Sequence, residues 1–164
     1  MVLTPGEADL LRDLVEQIRL LLEHPDPDDP VRQRLFPAAV TGDDAEDAEL
    51  RGLVYDDLLT GRLVGLEELV GYLDGGRRVR AGLQVDLQAE QAALVLGVLN
   101  DVRLALGARI RIEDLDRDQL DDNHPTFPTV VLIDHLGWWQ EQLLRILDPQ
   151  SVAHYDDLDE SDFE

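Results

Sequence analysis

The sequence contains no cysteine and no lysine. The first absence removes disulfides, thiol nucleophiles and thiolate metal sites. The second removes Schiff-base chemistry and the lysine of a phosphate-binding P-loop. All fourteen basic residues are arginine, set against thirty-six acids, and the formal net charge is −22. Positive charge is therefore scarce. Nucleic acid is excluded as an expected partner, because a phosphate backbone needs a basic surface. Anionic membranes are disfavoured on the same ground. No apolar run is long enough to span a bilayer, and the opening MVLTPGEADLL lacks the basic and apolar regions of a secretory signal. We therefore expect a cytoplasmic protein. The acidic surface is read first as a means of staying soluble. A basic protein partner is an alternative, and a high-salt habitat is a third reading, which predicts unfolding at low salt.

Motifs for chemistry are also missing. The four histidines, His24, His124, His135 and His154, include no pair at i+3 or i+4 and no HExxH. No metal site and no cofactor is expected from them. Asp114 to Asp118 resembles the front half of a calcium loop. Its glycine position holds Gln119, and its bidentate glutamate position holds Pro125, so a surface acidic loop is the better reading. There is no Walker loop, nucleophile elbow or dinucleotide fingerprint.

What is present is helical patterning. Thr4-Pro5-Gly6-Glu7 reads as a capping box with proline at the first helical position. Leu10, Leu11, Leu14, Val15, Ile18, Leu21 and Leu22 follow at helical spacing, up to His24-Pro25. Asp29-Pro30 caps a short helix to Leu35, with Leu35 and Phe36 expected to plug the edge of the core. A third helix is expected from Asp43 or Asp44 to Leu59, broken by Thr60-Gly61, and a fourth from Arg62 to Leu73. Asp86 to Gly107 is apolar around most of its circumference, so it belongs in the centre of the fold. Asp86 is its expected cap and Gly107 its stop. Residues 83–85 and 109–112 are read as extended, with a possible pairing between them. The last helix spans about Thr126 to Leu147. The sum is an all-α, single-domain bundle of five to six helices around the central apolar helix, over residues 1–149. Residues 150–164 are read as an acidic, mobile tail.

Two polar groups interrupt apolar helices. Asn100, Asp101 and Arg103 lie in the central helix, and Asp134 and His135 lie in the last one. Burying a lone charge is costly, so Arg103 is expected to pair with an acid such as Asp134 or Asp101. The preferred reading is a polar network that fixes helix packing; a pocket is the alternative. Adjacent helical residues point to different sides, which argues against Asp134 and His135 as a catalytic pair. The same rule separates Trp138 from Trp139: either one is core and the other a candidate interface residue, or both fill the core and its grooves. Arg77, Arg78 and Arg80 form the densest basic patch. It is read mainly as neutralising acids of its own chain, with an anionic partner as the alternative.

The segments Asp29 to Ala39, Glu49 to Arg51, Leu99 to Gly107 (LNDVRLALG) and Leu136 to Glu141 (LGWWQE) resemble an actinobacterial domain-of-unknown-function family, number two-zero-one-seven. The resemblance runs from the first helix to about Leu147. It carries no catalytic residue and no cofactor. Members are typically encoded beside the ClpS protease adaptor and a JAMM-type metallopeptidase, which implies a role near regulated proteolysis or sulfur-carrier metabolism. The combined expectation is a non-catalytic helical protein that binds another protein or itself. The rival is an enzyme or small-ligand binder using Asn100, Asp101, Arg103, Asp134 and His135.

Overall fold

Thr4 opens the first helix as its sequence dictates. In the computed structural model of the chain, Thr4 N and Oγ1 both donate to Glu7 Oε2, at 2.7 and 2.8 Å, and Glu7 N donates back to Thr4 Oγ1 at 3.3 Å. The structure describes residues 1–24, 26, 28–36, 45–116 and 120–148, with the side chains of 45–51 and 53 excepted. The acidic tail, the start of the third helix and residues 117–119 of the acidic loop lie outside them.

The elements run in order β1 (Val2–Leu3), α1 (Pro5–Glu23), α2 (Pro30–Leu35), α3 (Ala45–Asp74), β2 (Arg77–Val79), β3 (Gly82–Gln84), α4 (Ala89–Ile110), a short 3-10 turn (Ile112–Asp114) and α5 (Phe127–Leu147). The domain is all-α apart from one small sheet. α4 is its hub: it packs against α1, α2, α3 and α5. Val95, Leu99 and Val102 on α4 are fully enclosed. They meet Leu11 and Val15 of α1, Val31 and Leu35 of α2, Leu66 and Leu69 of α3, and Leu136 and Trp139 of α5 in one core. A helix apolar on most sides has found partners on several sides, as its composition requires. No helix among the described residues is long and apolar enough to cross a membrane.

Four expectations need correction. Thr60-Gly61 does not break the chain, and α3 runs through it for 30 residues. A glycine inside a helix costs only about 1 kcal/mol, and the buried row Leu66, Leu69 and Leu73 holds the helix in place. Asp86 does not cap α4: its carboxylate accepts from Gln84 Nε2, while Gln91 Oε1 accepts from Gln88 N at the helix start. Gly107 is a buried helical residue, and α4 ends instead at Arg111, in the left-handed conformation with φ 49° and ψ 59°. Finally, 83–85 does not pair with 109–112. The sheet order is β1-β3-β2, with Leu3 opposite Leu83 and Arg78 opposite Leu83 on the other side. Residues 109–110 belong to α4, and Ile112 begins the 3-10 turn.

Gly82 makes this sheet possible. Its φ of +141° is one that side-chain-bearing residues rarely adopt, and an added Cβ would fall 2.0 Å from the carbonyl oxygen of Leu3. The backbone of β1 passes directly over this glycine.

Candidate functional site

The polar residues singled out from the sequence are drawn to the junctions that α4 makes with its neighbours. Asp101 faces α3. Its Oδ2 lies 3.1 Å from Arg62 Nε, and both side chains are largely buried. The angle leaves Nε without a well-formed hydrogen bond, so the contact is an ion pair. Burial, the largest influence, raises the Asp101 carboxyl, and the attraction of Arg62 only partly reverses this. Arg62 also lies over the ring of Phe36, 5.0 Å from its centroid. Leu35 is buried beside it, so the end of α2 does plug the core edge.

Arg103 faces α5 and finds neither carboxylate expected of it. Its Nη1 donates to Gln140 Oε1, and Gln140 Nε2 in turn donates to the carbonyl of Leu96 at 3.2 Å. The guanidinium lies flat against the α5 backbone. A Cβ added to Gly137 would meet its Nη2 at 3.2 Å and its Cζ at 3.3 Å, so glycine is what lets the side chain lie there. Arg103 Nε is buried without a hydrogen-bond partner. Arg103 and the exposed Asn100 line a cleft of about 770 Å³ that also takes in α2 and the 3-10 turn.

His135 has a different partner altogether. Its Nε2 is 3.0 Å from Glu7 Oε1, which ties α5 to the capping box of α1. Burial, the largest influence on Glu7, pushes its carboxyl up. The hydrogen bonds from Thr4, then the bond and charge of His135, outweigh it and hold Glu7 below its ordinary 4.5. The His135 ring stacks on Trp138, centroids 5.9 Å apart, and meets Trp139 at 4.7 Å and a tilt of 59°. Trp139 is buried and Trp138 is 52% exposed. Asp134 stands exposed on α5. The five polar residues thus do not converge on one centre: Asn100 and Arg103 share the cleft, while Asp101 and His135 engage α3 and α1.

Two contributors went unread in the sequence. Glu7 is legible only as a capping residue, because nothing local announces a partner 128 positions away. Gln140 lies two places from Trp138, and its role depends on which face of α5 meets α4.

The basic patch sits on the β2–β3 hairpin. Arg77 Nη2 donates to Gln84 Oε1 across the strands at 2.9 Å. Arg78 and Arg80 line a shallow hollow of about 340 Å³ beside Arg12 and Asp9. Arg12 pairs with Asp74 and Asp9. Among the described residues, none of Arg77, Arg78 and Arg80 is in an ion pair, which departs from the reading of that patch as neutralising its own acids. No group of three or more metal-ligating side chains gathers among the described residues.

A family model described as "Domain of unknown function (DUF2017)" matches residues 1–147. The chain belongs to that family. Among curated proteins it is similar to the "Oxidative stress regulator AosR" of Mycobacterium bovis and of Mycobacterium tuberculosis. In each case it is 26% identical over 181 residues, covering 88% of this chain and 80% of the relative. No solved structure matches the chain.

Proposed function

We propose that this DUF2017 chain is a non-catalytic regulatory module that works by binding another protein through the outer face of α5. The observation that carries this reading is an apolar stripe on the side of α5 turned away from the core. Val131, Trp138 and Ile146 are 50%, 52% and 72% exposed, and their spacing places them on one helical face. Asp134, Glu141 and Arg145 flank that stripe. A rigid aromatic ringed by polar groups is the composition of an interface hot spot. Trp138 is also held in place, since it stacks on His135, which Glu7 anchors.

Similarity to proteins named as oxidative stress regulators supports the regulatory half of the reading. With no cysteine, this chain would take part in such a response through a partner and not through a thiol of its own. The polar side chains support the non-catalytic half, since Asp101, Arg103 and His135 each bridge two helices. A cytoplasmic setting and a place near regulated proteolysis complete the proposal, with the ClpS adaptor as one named candidate.

The test is affinity capture from the source cells with wild type and Trp138→Ala, alongside sedimentation of each and direct titration with the adaptor. We expect one protein, or a second copy of the chain, to be held by wild type and lost by the variant, with helical content unchanged. A monomeric wild type whose captured proteins match those of Trp138→Ala overturns the proposal.

A further inference from the structure

We propose that the cleft between α2, the C-terminal half of α4 and the 3-10 turn binds a small organic carboxylate with an apolar body. Three arginines line it: Arg34, Arg103 and Arg111. Among the described residues, none of the three is in an ion pair. In a chain where acids outnumber arginines thirty-six to fourteen, unpaired guanidiniums are costly to collect in one place, because they repel one another. Glu113 and Asp114 share the lining without neutralising it, so the cleft keeps one net positive charge in a molecule of −22.

Two details bear on how these arginines are held at the cleft wall. Arg103 Nε is buried and without a hydrogen-bond partner, although Gln140 fixes the same guanidinium through Nη1. Leaving a buried donor unsatisfied is unfavourable, so the arginine is kept at this wall at a cost to the fold. Arg111 takes the left-handed position that ends α4, and it is the one non-glycine with positive φ among the described residues. Glycine would adopt that conformation without strain; an arginine there brings a third guanidinium to the cleft.

The lining also fixes the kind of anion. Leu104, Ile112 and Ile133 supply an apolar floor, and about 770 Å³ is within the range of small-molecule sites, roughly 300–1,000 Å³. Guanidinium forks match the two oxygens of a carboxylate. A monoanion suits the site better than a polyphosphate, since every added negative charge is repelled by the rest of the molecule. This site is distinct from the outer face of α5, and either can fail without the other.

The test is NMR titration of the full, isotopically labelled chain with hexanoate, and with hexanamide, acetate and hexyl phosphate as comparison probes. Arg34→Gln and Arg111→Asn are the variants, since both side chains are exposed and asparagine tolerates the left-handed region. We expect saturable shifts at Leu104 and Gly107 with hexanoate. We expect affinity to be about tenfold or more weaker for the neutral amide, for acetate and in each variant, and weaker again for hexyl phosphate. The proposal is overturned if hexanoate does not saturate, if hexanamide, acetate or hexyl phosphate binds as well, or if the double variant retains full affinity.

Discussion

At Gly82 a single hydrogen atom decides whether the N-terminus can join the sheet. The φ of +141° and the 2.0 Å approach of Leu3 O both exclude a side chain. Gly82→Ala therefore has to displace β1, and with it Leu3, which is fully buried. Backbone strain of this kind costs roughly 2 kcal/mol, equivalent to about 4–8 °C in Tm at this chain length. Differential scanning calorimetry checks this; an unchanged Tm would mean that β1 contributes nothing to stability. Glu7 offers a second test at the same scale. Its carboxyl is held below 4.5 in the folded chain, so ionised Glu7 stabilises the fold fully above its unfolded value. That contribution is lost as pH falls through the lowered folded value. Glu7→Gln should then be less stable than wild type at about pH 5.5, and the gap should close toward about pH 3. Chemical denaturation of both proteins across that range measures it. A gap that widens on acidification contradicts the bonding of Glu7 to Thr4 and His135.

Between elements, charged side chains do the joining. Asp101 binds α4 to α3 through Arg62, and Arg103 binds α4 to α5 through Gln140. The two joints respond differently to pH. Burial raises Asp101 above its ordinary 3.8, so its ionised form is a cost in the folded chain that Arg62 offsets. Removing Arg62 leaves that charge largely buried and uncompensated, which should destabilise the fold by about 2 kcal/mol at neutral pH. The penalty exists only while Asp101 is ionised. Arg62→Ala should therefore approach wild-type stability as pH falls through the raised Asp101 value, and urea midpoints at a series of pH values will show whether it does. The sequence revealed these elements unevenly. The capping box at Thr4 and the Asp29 cap of α2 were legible because the bonds span two or three residues. The centrality of α4 was legible because an all-round apolar helix has few other solutions. The sheet was not, since β3 pairs with β1 some eighty positions earlier and strands this short carry almost no alternation. The cleft was half legible: Asn100 and Arg103 stood out as polar residues on an apolar helix. Arg34 and Arg111 are unremarkable until α2 and the left-handed turn bring them to the same space.

Over the whole molecule, charge is the property that the sequence states most directly, and it yields the last prediction. A net charge of −22 on 164 residues makes the compact state repel itself. The surface pairs that oppose this, such as Arg19 with Glu16 and Glu23 and Arg145 with Glu141, are exposed and individually weak. Added salt weakens both effects, but repulsion among many unpaired acids is the larger sum, so salt should stabilise the chain. The Debye length falls from about 30 Å at 0.01 M to about 3 Å at 1 M. Tm should rise steeply over the lower part of that range and then level off as the spacing between charges is screened. Calorimetry in sodium chloride, with sucrose as an uncharged control, separates screening from preferential exclusion: the former saturates, whereas the latter grows steadily with cosolute. A fall in Tm with salt would show that the arginine–carboxylate pairs outweigh the repulsion. Failure to fold at all without molar salt would favour an acidic surface built for a saline interior.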